Sequence, residues 1–344
     1  MNKRVTVQDI ADALGLSRNT VSKAINNSEG LAEATRTRIL QKAVEMGYKQ
    51  FSYMGTWLDS TAGEDAVPGF LGEIAVLSTQ YLGKSHFGSV MLDRFQRELA
   101  RMGYTLNTHR VMKENIAERT LPLTFVKERV RGIVCIEMFD RGYDEMVCAL
   151  GIPTLFVDGP CRSDGYSLPC DQLLMENTTQ VTCFVRKMLA RGKRRIGFIG
   201  DWEHCQSFYE RYAALRMTML TAGVAVEERF LIRSNEYKKI ETALNALTVL
   251  PDVFVCANDF IAMDAMQILR RRGFHFPEDV LFCGFDDSPE SRTLSPTLTT
   301  VHIRTGILAF TAVQLLLARI KDPTLDYRTV YAETYLVERE STEG

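Results

Sequence analysis

From Glu73 onward, short β-branched runs alternate with amphipathic helical stretches, and this alternation narrows the available folds more than any other feature of the chain. Candidate strands are Ile74–Ser78, Thr105–His109, Gly132–Ile136, Thr154–Val157, Ile196–Ile199, Val253–Cys256 and Val280–Cys283. Candidate helices are Val90–Met102, Leu173–Arg191, Glu210–Ala222, Ile240–Leu247, Phe260–Arg272 and Gly306–Ile320. Strand–helix alternation on this scale predicts parallel sheets with helices on both faces. Such folds take ligands in crevices beyond the carboxyl ends of their strands, so the loops after each strand are where binding residues are sought. The stretches 73–168 and 171–298 each read as one βα half, a coarse duplication.

The first 49 residues follow a different rule: they read as all helix. Thr6 is placed to cap a first helix whose apolar positions are Val7, Ile10, Ala11 and Leu14, with Asp9 three residues after the cap. Gly15 permits the left-handed turn that ends it. Ser17 caps a second helix running to about Ile25, and a third, roughly Ala34 to Met46, offers Ile39, Leu40, Ala43 and Val44 to the first two. On the second helix, Arg18, Asn19, Ser22, Lys23 and Asn26 fall on one side while Val21 and Ala24 face inward. Arg and Lys match guanine O6/N7, and Asn matches adenine N6/N7, in a DNA major groove. Thr6, Ser17, Thr35 and Tyr48 carry hydroxyls suited to phosphates, which position a protein without specifying sequence.

Charge supports this division weakly. The chain carries a net charge of −2, split as +3 on residues 1–50 and −5 on the rest. At 344 residues, 46% hydrophobic and 24% charged, it suits two or three globular domains with a sizeable core. The eight cysteines run from Cys135 to Cys283 with no CxxC pair, which reads as thiols in a reducing compartment rather than a metal site or a disulfide framework. No apolar h-region opens the chain and no apolar run approaches the roughly 18 residues of a membrane span. The expected location is the cytoplasm, with no membrane partner.

Several of these segments together resemble the lactose-repressor/galactose-repressor (LacI/GalR) family. The resemblance is carried by residues 6–27, then Ala34-Thr-Arg36 and Glu45-Met-Gly-Tyr48 in the head. Downstream it is carried by Arg194-Arg-Ile-Gly-Phe-Ile-Gly200, Cys256-Ala-Asn-Asp259, Pro277-Glu-Asp-Val280, Gly284-Phe-Asp-Asp287 and Ser295-Pro-Thr-Leu-Thr-Thr-Val301. The resemblance implies a helix-turn-helix head and an α/β periplasmic-binding-protein-like effector domain of two parallel-sheet subdomains. It also implies a homodimer on a near-palindromic double-stranded DNA operator, each head reading one half-site, and a small-molecule effector between the subdomains. The expected organisation is a DNA-binding domain at 1–49, a hinge or linker at 50–72 and an effector and dimerisation domain at 73–340. The subdomains are expected at about 73–168 plus 300–326, and 169–299 plus 327–340.

The linker departs from the family pattern. Its hinge helix usually begins with Pro-Asn and carries a Leu that wedges into the minor groove. Here those positions read Gln50-Phe51 and Met54-Gly55-Thr56-Trp57, with Trp57 in place of the Leu and Leu58 beside it. Either side chain is apolar enough to unstack a base step. Gly55 costs about 1 kcal/mol of helix propensity relative to Ala. The second part, 59–69, is small, polar and turn-rich.

For the effector, the resemblance carries over Asp286, Arg211 and Asn258, and with them Asp158 and Phe87; Tyr237 is added from its loop placement. Carboxylates, an amide and a guanidinium share the donors and acceptors of vicinal hydroxyls, so a repressor relieved by a sugar is favoured, and a purine effector or a corepressor-dependent regulator is the alternative. Asp287 and Asp259 read equally well as helix caps, Trp202 as core or rim, and His86, His204 and His302 as surface or packing residues. No GxGxxG follows a strand, and there is no Walker loop, HExxH or GxSxG, so no enzyme, cofactor or metal is expected. The competing class is a cytoplasmic solute-binding protein without DNA binding.

Overall fold

The computed structural model describes residues 5–25, 31–46, 48, 70–79 and 86–343, with the side chains of all of these except 33, 34, 37, 41, 44 and 86–90. The chain divides into two compact units, Met1–Gly69 and Phe70–Gly344.

The first unit holds α1 (Val7–Leu14), α2 (Arg18–Ile25) and α3 (Glu33–Glu45). The start of α1 is fixed by a reciprocal cap. The Thr6 hydroxyl accepts the Asp9 N–H at 3.3 Å, and the Asp9 carboxylate accepts the Thr6 N–H at 2.7 Å. Gly15 ends the helix in the left-handed region, at φ +65°. The Ser17 hydroxyl accepts the Thr20 N–H at 3.1 Å and so caps α2. Ile10, Ala11, Val21, Ala24, Ile25, Ile39 and Ala43 form the core between the three helices, while Leu40 is only partly buried.

The second unit contains two parallel sheets. In the first, β1 (Gly72–Ser78), β2 (Tyr104–Arg110), β3 (Val130–Ile136), β4 (Thr154–Val157), β5 (Asp171–Met175) and β11 (Thr329–Ala332) are ordered β11-β5-β4-β3-β1-β2. In the second, β6 (Ile196–Ile199), β7 (Leu231–Ile232), β8 (Val253–Cys256) and β9 (Leu281–Cys283) are ordered β7-β6-β8-β9. A short antiparallel pair joins β10 (Thr300–Ile303) to β12 (Thr334–Val337). The crossovers include α4 (His86–Arg101), α5 (Lys113–Glu118), α6 (Arg141–Cys148), α7 (Thr179–Ala190), α8 (Gln206–Thr221), α9 (Tyr237–Ala246), α10 (Asp259–Arg271) and α11 (Thr305–Lys321).

The strand pairing moves the expected subdomain boundaries at two places. Residues 171–175 are a strand of the first sheet, not the opening of a helix from the second half, and residues 329–332 pair beside them. Physically, β5 is buried along its whole length, so its side chains show no alternation to mark it as a strand. Its position is secured by Asp171, 1% exposed, whose carboxylate accepts from Arg319 Nε at 3.0 Å on α11 and from the Arg328 backbone N–H at 2.8 Å.

Beneath the first sheet, Tyr143 and Asp144 of α6 are fully buried. Neither the Tyr143 hydroxyl nor either Asp144 carboxyl oxygen has a hydrogen-bond partner. Burial, and secondarily the charge of Asp140, pushes the Asp144 carboxyl up to about 8. Among the described residues no helix is long and apolar enough to cross a membrane, and no group of three or more His, Cys, Asp or Glu is arranged to hold a metal ion.

Candidate functional site

In the first unit, the outward face of α2 presents Arg18, Asn19 and Lys23 to solvent, with Ser22 partly buried beside them and Val21 turned into the core. A helix of 8 residues whose inner face is apolar and whose outer face carries two cations and an amide has the chemistry of a base-reading element. Thr6 and Ser17 are exposed at the two helix starts, where their hydroxyls are already engaged in capping; Thr35 and Tyr48 are partly buried. Asn26, Trp57 and Leu58 lie outside the described residues.

In the second unit, four strand ends converge on Arg211. Its guanidinium is 2% exposed. It donates Nε–H to the Asn177 side-chain oxygen at 2.9 Å, after β5, and an Nη1 proton to the Ala257 carbonyl at 2.5 Å, after β8. Its Cζ also lies over the ring of Phe285, 3.5 Å from the centroid, after β9, with Phe208 at 5.5 Å. The cation is therefore held by one amide, one carbonyl and two rings, and it faces the carboxylates of Asp158 and Asp286.

Those carboxylates sit on strained backbone. Glu137, Asp158, Asp286 and Asp287 have φ of +52°, +56°, +116° and +54°, at the ends of β3, β4 and β9. Left-handed conformations of non-glycine residues cost on the order of 1–3 kcal/mol each and cluster at functional sites. Asp158 is 6% exposed, and its Oδ1 accepts the Gly159 N–H at 2.9 Å. Burial raises its pKa, while the Gly159 hydrogen bond and the Arg211 charge pull against that rise. Burial likewise pushes Asp286 well above the usual carboxylate range; Arg211 opposes this, and repulsion from Asp259, Glu137 and Asp158 adds to it. Acidic groups thus crowd a single guanidinium. A neutral ligand rich in hydroxyls relieves such a site by donating to the carboxylates and accepting from the cation.

Of the other expected residues, Asn258 stands at the same edge. Its side-chain oxygen accepts the Ile261 N–H at 3.0 Å and caps α10, which leaves the amide NH2 to meet a ligand. Tyr237 is not brought into the group by its own bonding: its hydroxyl accepts from Arg271 at 3.1 Å, at the end of α10 remote from Asn258. The side chain of Phe87 lies outside the described residues. Asp287 caps no helix; its carboxylate is held by His302 at 2.8 Å, by Arg292 at 2.7 Å and by Arg339, which keep it well below the usual range against the cost of burial. Asp259 accepts the Ser288 N–H at 2.8 Å and the Thr300 hydroxyl at 2.5 Å, bonds that fasten the β9 loop. Trp202 is occupied by a stack on Tyr212, 4.2 Å between centroids.

Sequence reasoning missed Asn177, Phe208 and Phe285. Asn177 follows the strand that shows no alternation, and Phe285 lies inside a quoted motif between Gly284 and Asp286. His204, expected at the surface or in packing, packs against Phe139 and Phe208, with Asp158 and Asp201 among the charges that face it.

Comparison with known proteins agrees with both units. Residues 6–50 match the family of bacterial regulatory proteins of the lacI type, and residues 185–342 match the periplasmic binding protein-like domain. The chain is 27% identical to the HTH-type transcriptional regulator GalR of Lacticaseibacillus casei, over 98% of this chain and 99% of that protein. It is 26% identical to the HTH-type transcriptional repressor PurR of Vibrio atlanticus, over 97% of each. Its fold matches the cellobiose complex of the transcriptional regulator CelR with a TM-score of 0.66 at 23% identity, covering 98% of this chain and 100% of that one. With a lacI-type helix-turn-helix unit followed by a periplasmic-binding-protein-like unit, the chain belongs to the LacI family of DNA-binding transcriptional regulators.

Proposed function

We propose that this regulator is a repressor that binds a near-palindromic operator as a homodimer and is switched by a sugar or sugar derivative held at Arg211. The observation that carries the effector reading is the convergence of Asp158, Arg211, Asn258 and Asp286 from four strand ends around one buried guanidinium. Arg18, Asn19 and Lys23 read bases, with Ser22 of α2 and Asn26 beside them in sequence, while Thr6, Ser17, Thr35 and Tyr48 meet phosphates. Trp57 or Leu58 enters the minor groove if the linker forms a hinge helix. Ligand binding between the two sheets favours one relative angle of the sheets over another, and that preference changes operator affinity. The similarity to GalR and to the cellobiose-bound CelR supports a sugar; the similarity to PurR keeps a purine as the second reading.

The test is a thermal-shift series with cellobiose, D-galactose, other mono- and disaccharides, and guanine. A sugar hit that stabilises the wild type and not Asp286→Ala is expected. A response to guanine alone would replace the sugar by a purine, and a hit retained in Asp286→Ala would remove that carboxylate from the site.

A further inference from the structure

Residues 161–170, which lead into β5, run along one side of α6, and the contacts between them follow the helical repeat. Arg141, Glu145 and Cys148 stand four and then three residues apart, so they share a side of the helix. Arg141 binds the Asp164 carboxylate at 2.6 and 2.9 Å and also donates to the Cys161 carbonyl. One turn on, the Glu145 carboxylate accepts the Tyr166 hydroxyl proton at 2.6 Å. At the end of the helix Cys148 meets Cys170, and the two thiols are in hydrogen-bond contact. Both pack in one apolar cluster with Val147, Leu168 and Cys135.

The two thiols differ in access. Cys148 is partly exposed, so a small oxidant in solvent reaches it. Cys170 is 4% exposed. Its bond with Cys148, and then burial, push its thiol up, so it keeps its proton beside the Cys148 sulfur. Cys135, in the same cluster, is 0% exposed. Cys256 and Cys283, on the adjacent strands β8 and β9, are both buried and offer an oxidant no such entry. An accessible thiol set against a sheltered one is the arrangement of a reactive cysteine and a resolving partner.

We propose that Cys148 and Cys170 are a redox-active dithiol, which a hydroperoxide converts to an intramolecular disulfide. Cys148, as its thiolate, attacks one peroxide oxygen; an S–O bond forms, the O–O bond breaks, and the leaving oxygen takes a proton to depart as alcohol or water. Cys170 Sγ then attacks Cys148 Sγ; the S–S bond forms, the S–O bond breaks, and the departing hydroxide takes the Cys170 proton as water. The thiols lose two electrons and two protons, and the hydroperoxide gains them. The disulfide fastens residues 161–170 covalently to the end of α6, and a reducing dithiol releases them. This site does not depend on the effector reading.

The experiment treats the reduced full-length protein with hydrogen peroxide, blocks the remaining thiols with N-ethylmaleimide and maps cysteine pairs by non-reducing peptide mass spectrometry, in wild type and Cys170→Ser. Exposed Cys183 shows that peroxide has reached the protein. In wild type, the Cys148–Cys170 link within one chain is expected to exceed any other pair by about tenfold or more and to vanish with dithiothreitol. In Cys170→Ser, dimedone trapping of Cys148 sulfenic acid is expected to rise about tenfold, because the resolving thiol is gone. A dominant link from Cys148 to Cys135 or to a second chain overturns the pairing, as does oxidised Cys148 without a link in wild type. Cys148 left unoxidised while Cys183 reacts overturns it too. The link is read in wild type, so a folding defect in Cys170→Ser does not shield the proposal.

Discussion

The two surfaces proposed here to meet DNA and effector use the same side-chain chemistry under opposite conditions. On α2, Arg18, Asn19 and Lys23 stand in water and contribute nothing to the head's core, which Ile10, Val21, Ile39 and their neighbours supply. Around Arg211, the polar groups are buried, strained and mutually dependent. A DNA-reading face waits for a partner much larger than itself, so its side chains stay hydrated until that partner arrives. A small-molecule site has to exclude water around its ligand, so its polar groups are desolvated in advance and need one another. Removing a residue from the first surface therefore costs binding alone, whereas removing one from the second costs folding as well.

Arginine substitutions give the widest separation. Arg211→Ala strands the Asn177 oxygen, the Ala257 carbonyl and the carboxylates it faces, and is expected to lose about 3–5 kcal/mol of stability, read by urea denaturation. Arg18→Ala combined with Lys23→Ala is expected to leave the melting temperature unchanged. The pair should weaken a mobility shift on a palindromic operator by about 100-fold or more, since a base or phosphate contact is worth about 1–3 kcal/mol. A full shift retained in that double variant removes α2 from the DNA interface; a lowered melting temperature breaks the contrast itself.

Asp144 sharpens the contrast, because it is buried like the crevice residues but has no partner and no ligand to await. Its native carboxyl titrates near 8, against about 3.9 in an unfolded chain. Between those values the native state holds a proton the unfolded state has released. The contribution of this one group to stability is thus greatest below pH 4 and falls by up to about 1.4 kcal/mol per pH unit until pH 8. Asp144→Asn is expected to flatten that slope and to be more stable than wild type at pH 7; an unaltered slope would show that other groups set it. The smallest effect is expected at the head, where Thr6→Ala loses the cap of α1 for about 1 kcal/mol, visible in amide exchange of residues 7–10 and not in the second unit.

Much of the fold is legible in the sequence. Thr154–Val157, Ile196–Ile199 and Val253–Cys256 read as strands at their observed bounds, because β-branched runs flanked by turns mark buried parallel strands. The Thr6–Asp9 cap and the Gly15 turn are readable because local chemistry alone specifies them. What stays hidden depends on distant parts of the chain. Asp171–Met175 becomes a strand through Arg319 and Arg328, more than a hundred residues away, and Asn177 is hidden with it. The packing partner of His204 is illegible for the same reason: Phe139 comes from the other sheet. Backbone strain at Glu137, Asp158 and Asp286 leaves no mark in composition, yet in the structure it outlines the crevice.

The pairing of β5 with β11 also sets an order of assembly. Every strand of the second sheet has left the ribosome once Cys283 emerges, although that half still awaits Arg339 and Ser341, which bind the Asp287 carboxylate and the Phe282 carbonyl. The first sheet begins at Gly72 but cannot finish until Thr329–Ala332 arrive, and with them Arg328, which binds the Asp171 carboxylate. Its β5 edge is exposed throughout that interval, an unpaired strand of the kind that invites association with other chains. The first sheet therefore closes only after every strand of the second has been made.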